Sequence, residues 1–174
     1  MVRKLTPLLL ALLLVAPALS AQRQIRLTVA FYNLENLFDT IDGENNDADF
    51  LPDGSNQWTM EKYQQKLHNM AYAISQIGGQ RGPDIIGLAE IENRGVLEDL
   101  LRQPELRNAG YQIVHFDSPD KRGIDCALFY RSSVFQMTSA EPHPVTLVGE
   151  EHIKTRDVLE VTGKLLGEPV SILV

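Results

Sequence analysis

Asp84-Ile85-Ile86-Gly87-Leu88-Ala89-Glu90-Ile91-Glu92-Asn93 is the stretch on which the fold turns. Behind the Gly82-Pro83-Asp84 turn, the residues from Ile85 to Ala89 are apolar or small without a break. Such a run is too short for a helix and lacks the alternation of a half-exposed strand, so it predicts a strand buried on both faces. Glu90 follows at once. An unpaired carboxylate cannot enter the apolar interior, because losing its water without a partner is prohibitive. The strand therefore reaches a rim at Glu90, which must face solvent, a cation or a metal. Taken alone, a solvated or salt-bridged rim acid and a ligand-holding acid both satisfy this. The former is the commoner fate of a carboxylate, whereas strand ends are where sheet-based folds gather their ligands.

Working outward, Thr59 to Ile77 places Tyr63, Leu67, Met70, Ile74 and Ile77 in alternating steps of four and three, one stripe down a helix that Gly78-Gly79 stops. Before it, Ile25 to Tyr32 predicts a strand entering a buried sheet and ended by Asn33, followed by an Asp-, Asn- and Gly-rich exposed loop from Asp39 to Asn56. The acids between Asp42 and Asp53 lack the spacing of a calcium-binding loop. After the buried strand, Val96 to Arg102 predicts a short helix presenting Leu97, Leu100 and Leu101 to a core. Strand signals recur at Tyr111 to Phe116, Ile124 to Tyr130, Val145 to Val148, Val158 to Lys164 and Val170 to Val174. A β-α-β-α-β start that gives way to closely linked strands predicts a mixed sheet with helices outside.

Composition narrows the classes. The chain has 174 residues, 44% hydrophobic and 22% charged, within the globular range. A single cysteine, Cys126, excludes a disulfide scaffold and reads as a small core hydrophobe. A net charge of −7 disfavours a general polyanion binder. Residues 1–21 combine basic Arg3 and Lys4, an apolar run from Leu8 to Ala16, Pro17 and small residues at Ala18, Ser20 and Ala21. This is the pattern of a cleaved export signal, too short to span a bilayer, and it predicts a periplasmic or secreted protein without a stable membrane span. At the other end, Pro169 to Val174 reads as a strand that stops while still apolar. That predicts a truncated domain over 22–174, because chain ends usually lie at the surface.

The polar residues at the strand ends carry the chemistry. Asn33 ends the first apolar run, and Glu35 lies two residues on. An amide oxygen with one or two carboxylates is a hard, oxygen-only donor set suited to Mg²⁺, which keeps several waters and needs few protein ligands. Asn33 fits equally a residue that satisfies backbone groups at a strand end. Asn93 fits a helix cap as well as a substrate contact. His68, His115, His143 and His152 show no metal-ligand spacing among themselves, and none is assigned to catalysis.

Three segments in order resemble the endonuclease/exonuclease/phosphatase superfamily: Tyr32-Asn33-Leu34-Glu35-Asn36-Leu37-Phe38-Asp39, then Asp84 to Asn93, then Arg122-Gly123-Ile124-Asp125-Cys126-Ala127-Leu128-Phe129-Tyr130-Arg131. The likeness runs from about Ile25 to Val174 and is to the N-terminal half of exported bacterial members. It implies part of a four-layer α-β-β-α sandwich with mixed, largely antiparallel sheets. It also implies hydrolysis of phosphodiester or phosphomonoester bonds, most like an endonuclease, with Mg²⁺ or Mn²⁺ as cofactor. By the same resemblance Glu90 is the metal-binding glutamate and Asn33 the strand-end asparagine that helps hold metal and phosphate. Glu35 matches a second acidic group near the metal. Arg122 and Asp125 lie where family members place phosphate-contacting or site-shaping groups, and a surface Arg with a turn acid fits them equally; Asn93, from its place directly after the Glu90 segment, is a candidate to orient substrate. The implied partner is a phosphate-ester substrate, nucleic acid among the candidates; nothing in the sequence points to a protein partner. The His–Asp and Asp-x-Asn motifs of the family's C-terminal half do not occur before Val174, so the chain alone is expected to be inactive. The competing expectation is an exported, non-catalytic binding module with the same fold.

Overall fold

The computed structural model describes residues 25–79, 81–150 and 152–174. The predicted export signal at 1–21 lies outside the described residues. Along the chain come β1 (Val29–Leu37), α1 (Met60–Gln76), β2 (Ile85–Ile91), α2 (Arg94–Arg102), β3 (Tyr111–His115), β4 (Asp125–Arg131), β5 (Phe135–His143), β6 (Val158–Leu165) and β7 (Glu168–Leu173). A short 3-10 turn, Ala48–Phe50, interrupts the loop after β1.

The first four strands make a mixed sheet in the order β1-β2-β4-β3, with β1 parallel to β2 and the other pairs antiparallel. The last three make an antiparallel sheet in the order β5-β6-β7. As expected, β2 is central and buried on both faces, and successive side chains divide between two cores. Ile86 and Leu88 join Phe129, Ala127 and the helix residues Tyr63, Leu67, Ile74, Leu97 and Leu100. Ile85 lies with Leu128, Tyr130, Phe135, Leu159 and Val161 between the sheets. The two-residue period of a strand thus serves two layers at once. Each large side chain fully buried this way contributes about 1.5–3 kcal/mol. Helices, mixed sheet and antiparallel sheet are three consecutive layers of the expected sandwich.

Gly87 lies against Val174, which follows β7, and against Phe31 of β1. A Cβ there would stand 3.1 Å from Val174 Cγ2 and 3.3 Å from Phe31 Cδ2, so the missing side chain is what admits that approach.

Both helices are started by side-chain caps. Thr59 Oγ1 accepts from Lys62 N at 3.4 Å, and Asn93 Oδ1 accepts from Val96 N at 3.1 Å. The predicted stripe is realised: Tyr63, Leu67 and Ile74 are buried, with Met70 and Ile77 packed beside them.

Three boundaries differ from the sequence reading. β1 starts at Val29 rather than Ile25, because its partner β2 begins only at Ile85 after the Gly82-Pro83-Asp84 turn, and Val29 pairs with Ile85. It also runs past Asn33, rejoining the ladder when Leu37 pairs with Ile91. The strand predicted at Val145 to Val148 is absent; the pairing segment is β5, which ends at His143 before Pro144. β5 is polar because it is an edge strand exposed along most of its length, which hides it from any hydrophobic pattern. Among the described residues no helix is long and apolar enough to cross a membrane. Cys126 is half-buried on β4 against the inter-sheet core, where burial pushes its thiol up.

Candidate functional site

The ladder between β1 and β2 is regular from Val29↔Ile85 to Asn33↔Ala89 and then breaks, resuming at Leu37↔Ile91. On the other side of β2 the β4 ladder skips the same residue, passing from Ala89↔Cys126 to Ile91↔Asp125. The residue skipped on both sides is Glu90. It is therefore extruded from the sheet, and its φ of 62° lies in the left-handed region. Across the gap, Glu35 and Asn36 have φ of 52° and 60°. Positive φ is costly for any residue with a Cβ, and here three such residues meet at one rim, the pattern of a strained functional site.

The strain has visible supports. Asn33 Oδ1 accepts the Glu35 N–H at 2.7 Å, turning the chain after the regular ladder. Asn33 thus does satisfy a strand-end backbone group, and an amide oxygen retains a second lone pair. From α1, Lys66 Nζ donates to the carbonyls of Glu35 and Asn36, the latter at 3.1 Å. It also stands 5.5 Å from the centre of the Trp58 ring. Burial lowers the Lys66 ammonium, while Glu35 and Glu90 oppose that shift. On the opposite flank Arg122 is within electrostatic range of Glu90, and its guanidinium is raised first by hydrogen bonding to Asp120. Glu90 is half-exposed, and among the described residues its carboxylate makes no ion pair or hydrogen bond. The salt-bridged rim acid that its sequence position allowed is not what forms.

Beside this rim opens a cleft of about 450 Å³ lined by Asn45, Glu92, Asn93, Asp117, Asp120 and Asp125 among others. Glu92 is its buried floor. Its carboxylate accepts the Asp39 N–H at 2.7 Å and Asn45 Nδ2 at 3.1 Å, which latches the long loop onto the end of β2. Burial pushes the Glu92 carboxyl up to about 7; those two hydrogen bonds pull it back, and nearby Asp39 and Asp47 add to the rise. The loop is held further by Phe50, stacked on Phe38 at 4.2 Å, and by Trp58 Nε1, which donates to the Phe38 carbonyl at 2.9 Å. It is thus tied down at several points.

The other sequence-predicted residues divide. Asn33, Glu35, Glu90 and Arg122 gather at the rim. Asn93 caps α2 and donates to Asp39 Oδ2 at 3.2 Å, lining the cleft with its remaining surface. Asp125 is nearly covered; its Oδ2 meets His115 Nε2 at 2.9 Å and its Oδ1 accepts the Ser118 N–H at 2.8 Å, so it shapes the 117–124 loop. His115, Asp117 and Asp125 form a cluster able to offer three ligand atoms within 4.8 Å of one another. No His spacing could reveal it, since antiparallel pairing of β3 with β4 builds it. Sequence reasoning also missed Lys66, whose apolar helix neighbours carried the signal, and Asp120, whose sign was a turn ending at Gly123 with φ of 68°. His68 pairs with Glu105 at 3.2 Å on the surface, as a packing or surface residue would.

Comparison with known proteins agrees with this architecture. A family model described as Endonuclease/Exonuclease/phosphatase family matches residues 28–174. No curated protein matches the chain. Among solved structures, it is similar to ANGEL2, a 2',3'-cyclic phosphatase, with TM-score 0.54 and 15% identity over 84% of this chain and 40% of that one. A mannosyl-6-phosphatase of Bacteroides thetaiotaomicron gives 0.53 and 20% identity over 85% of this chain and 50% of that one. A humanized D. rerio TDP2 gives 0.52 and 13%, over 84% of this chain and 45% of that one. The chain spans half or less of the length of each of these structures, and at such identities they speak for the fold. With the match over 28–174 and the extruded acid at the rim of a mixed sheet, the chain belongs to the endonuclease/exonuclease/phosphatase family, a family of phosphate-ester hydrolases.

Proposed function

We propose that the protein is a metal-dependent phosphoesterase, most like an endonuclease, and that this chain is the N-terminal part of its catalytic domain. One observation carries the reading: Glu90 is forced out of β2 by coincident bulges and left without a hydrogen bond or ion pair among the described residues, within electrostatic range of Lys66 and Arg122. Backbone strain of this kind clusters at functional sites. The donors at the rim, carboxylates of Glu90 and Glu35 with the amide oxygen of Asn33, fit a hard divalent ion, Mg²⁺ or Mn²⁺. When bound, such an ion polarises a phosphoryl oxygen and stabilises charge on the leaving oxygen.

The chain's own residues do the rest of the positioning. Glu90 anchors the ion, with Asn33 and Glu35 beside it. Arg122 offers fork-like donors to phosphate oxygens. Asn93 and Asp125 border the cleft that receives the remainder of the substrate. The acidic balance favours a phosphate ester held locally over unspecific duplex binding, and nucleic acid remains within that class.

His115, 3% exposed in its side chain and engaged with Asp125, is not assigned as the general base. Two features support a longer domain. The edge strands β1 and β7 expose Val29, Phe31 and Leu173, at 61%, 63% and 65%. Bare apolar edges of this kind call for a continuing sheet. Residues 1–21 direct export to the periplasm or beyond.

The test is Mg²⁺- or Mn²⁺-dependent hydrolysis of a phosphodiester by the intact protein against its Glu90→Ala variant and against residues 22–174 alone. Loss in both comparisons is expected, since missing acid-base help alone is worth about 10²–10⁴ in rate. Full activity in Glu90→Ala, or in the isolated chain, would refute the proposal.

A further inference from the structure

Arg122 is more than half exposed in its side chain, at 57%, yet it is held on one edge by an acid that is only 3% exposed. Asp120 Oδ1 accepts Arg122 Nε at 3.1 Å and the Arg122 backbone N–H at 2.9 Å, while Asp120 Oδ2 accepts Nη2 at 3.0 Å. Nη1 makes no hydrogen bond among the described residues, and it belongs to the guanidinium that senses Glu90. The turn beneath is closed by Gly123 N–H donating to the Asp120 carbonyl at 2.9 Å. A Cβ at Gly123 would meet Asn45 Cβ at 2.6 Å, so loop and turn are in tight contact. Burial by itself would raise the Asp120 carboxyl; the hydrogen bonds from Arg122, with Arg122 and Arg156 close by, bring it below its ordinary range.

A free arginine on a surface turn samples many rotamers and loses that freedom when it binds. A fork gripped along its Nε–Nη2 edge has already lost it, and its Nη1 edge is presented in one direction. We propose that Asp120 is a positioning residue of the Glu90 rim, holding the Arg122 guanidinium so that its Nη1 edge meets a phosphoryl oxygen. The inference rests on the reading of that rim as a phosphoester site.

Charge and positioning make opposite predictions here, which renders the test sharp. Removing an acid beside an anion site would by charge alone tighten anion binding, whereas releasing the arginine fork loosens it. The probe is inorganic phosphate titrated calorimetrically into the intact protein with Mn²⁺ present, with Mn²⁺ affinity measured separately. Asp120→Asn is expected to weaken phosphate about tenfold, the scale of one charge-assisted hydrogen bond, and to leave Mn²⁺ affinity unchanged. Arg122→Lys keeps the charge and the buried acid but loses the fork, and is expected to match it. Adding Asp120→Asn to Arg122→Lys should cause no further loss, because one residue acts through the other and only the charge effect remains. Unchanged or tighter phosphate binding by Asp120→Asn, or additive losses in the double variant, would overturn the assignment. Wild-type protein that binds no phosphate, or binds it equally after Glu90→Gln, would remove the site reading itself and this inference with it.

Discussion

Replacing Glu90 by glycine and by alanine separates what the side chain does from what the backbone endures. Both substitutions delete the carboxylate and its interactions with Lys66 and Arg122, so those losses cancel in the comparison. What remains is a φ of 62° with and without a Cβ. The left-handed conformation costs a residue with a Cβ about 1–2 kcal/mol. Glycine avoids that cost but loses about 0.5–1 kcal/mol more than alanine in conformational entropy on folding. Glu90→Gly should therefore exceed Glu90→Ala in stability by about 0–1.5 kcal/mol, centred near about 0.75 kcal/mol, where the folded-to-unfolded ratio is larger by about three- to fourfold. With a urea dependence of about 1–3 kcal/mol per molar, the midpoints separate by a few tenths molar, which unfolding followed by circular dichroism resolves. Mn²⁺ affinity should fall alike in both. A Glu90→Ala variant more stable than Glu90→Gly by the full entropy difference of about 0.5–1 kcal/mol would show that the bulge carries no strain at this position and would remove the main support for a functional rim.

Three further outcomes follow from the same coordinates. The Glu92 carboxyl, raised from 4.5 to about 7 in the folded state, makes the native protein bind more protons than the unfolded chain across that window. Its contribution to stability is thus full below about pH 4.5 and is lost as pH rises through about 7, so Glu92→Gln should flatten that stretch of a stability-against-pH curve; an unchanged slope would refute it. Gly87→Val should destabilise by about 1–3 kcal/mol in denaturant unfolding, by pushing against Val174 and Phe31 where the sheets meet, and an unchanged midpoint would place the sheets further apart than described. Asn93→Ala removes the α2 cap and the tie to Asp39 and should cost about 0.5–2 kcal/mol; a loss of catalysis without any loss of stability would instead make Asn93 a substrate contact.

How much of this was legible beforehand varies with the range of the interaction. The buried run Ile85 to Ala89 and the α1 stripe through Tyr63, Leu67 and Ile74 could be read directly, because burial on a period of two or 3.6 leaves a local mark. β5 could not, since an exposed edge strand needs no apolar pattern and is defined by its ladder with β6. Likewise β1 was misjudged at both ends, because where pairing starts and resumes is decided by β2, more than fifty residues away along the chain.

The sequence by itself determined that an acid would stand at the end of a doubly buried strand, that Asn33 and Glu35 would follow the apolar run of another, and that helices would lie outside the sheet. These follow from solvation and periodicity, which act residue by residue. Only the tertiary structure decided that bulges on both sides of β2 coincide at Glu90, and that Lys66 pins the turn opposite. It also decided that Asp120 grips Arg122 along one edge while His115 and Asp125 close on each other. Those arrangements depend on register between strands and on the contact of separate loops, where a shift of one residue would send each side chain to the other face.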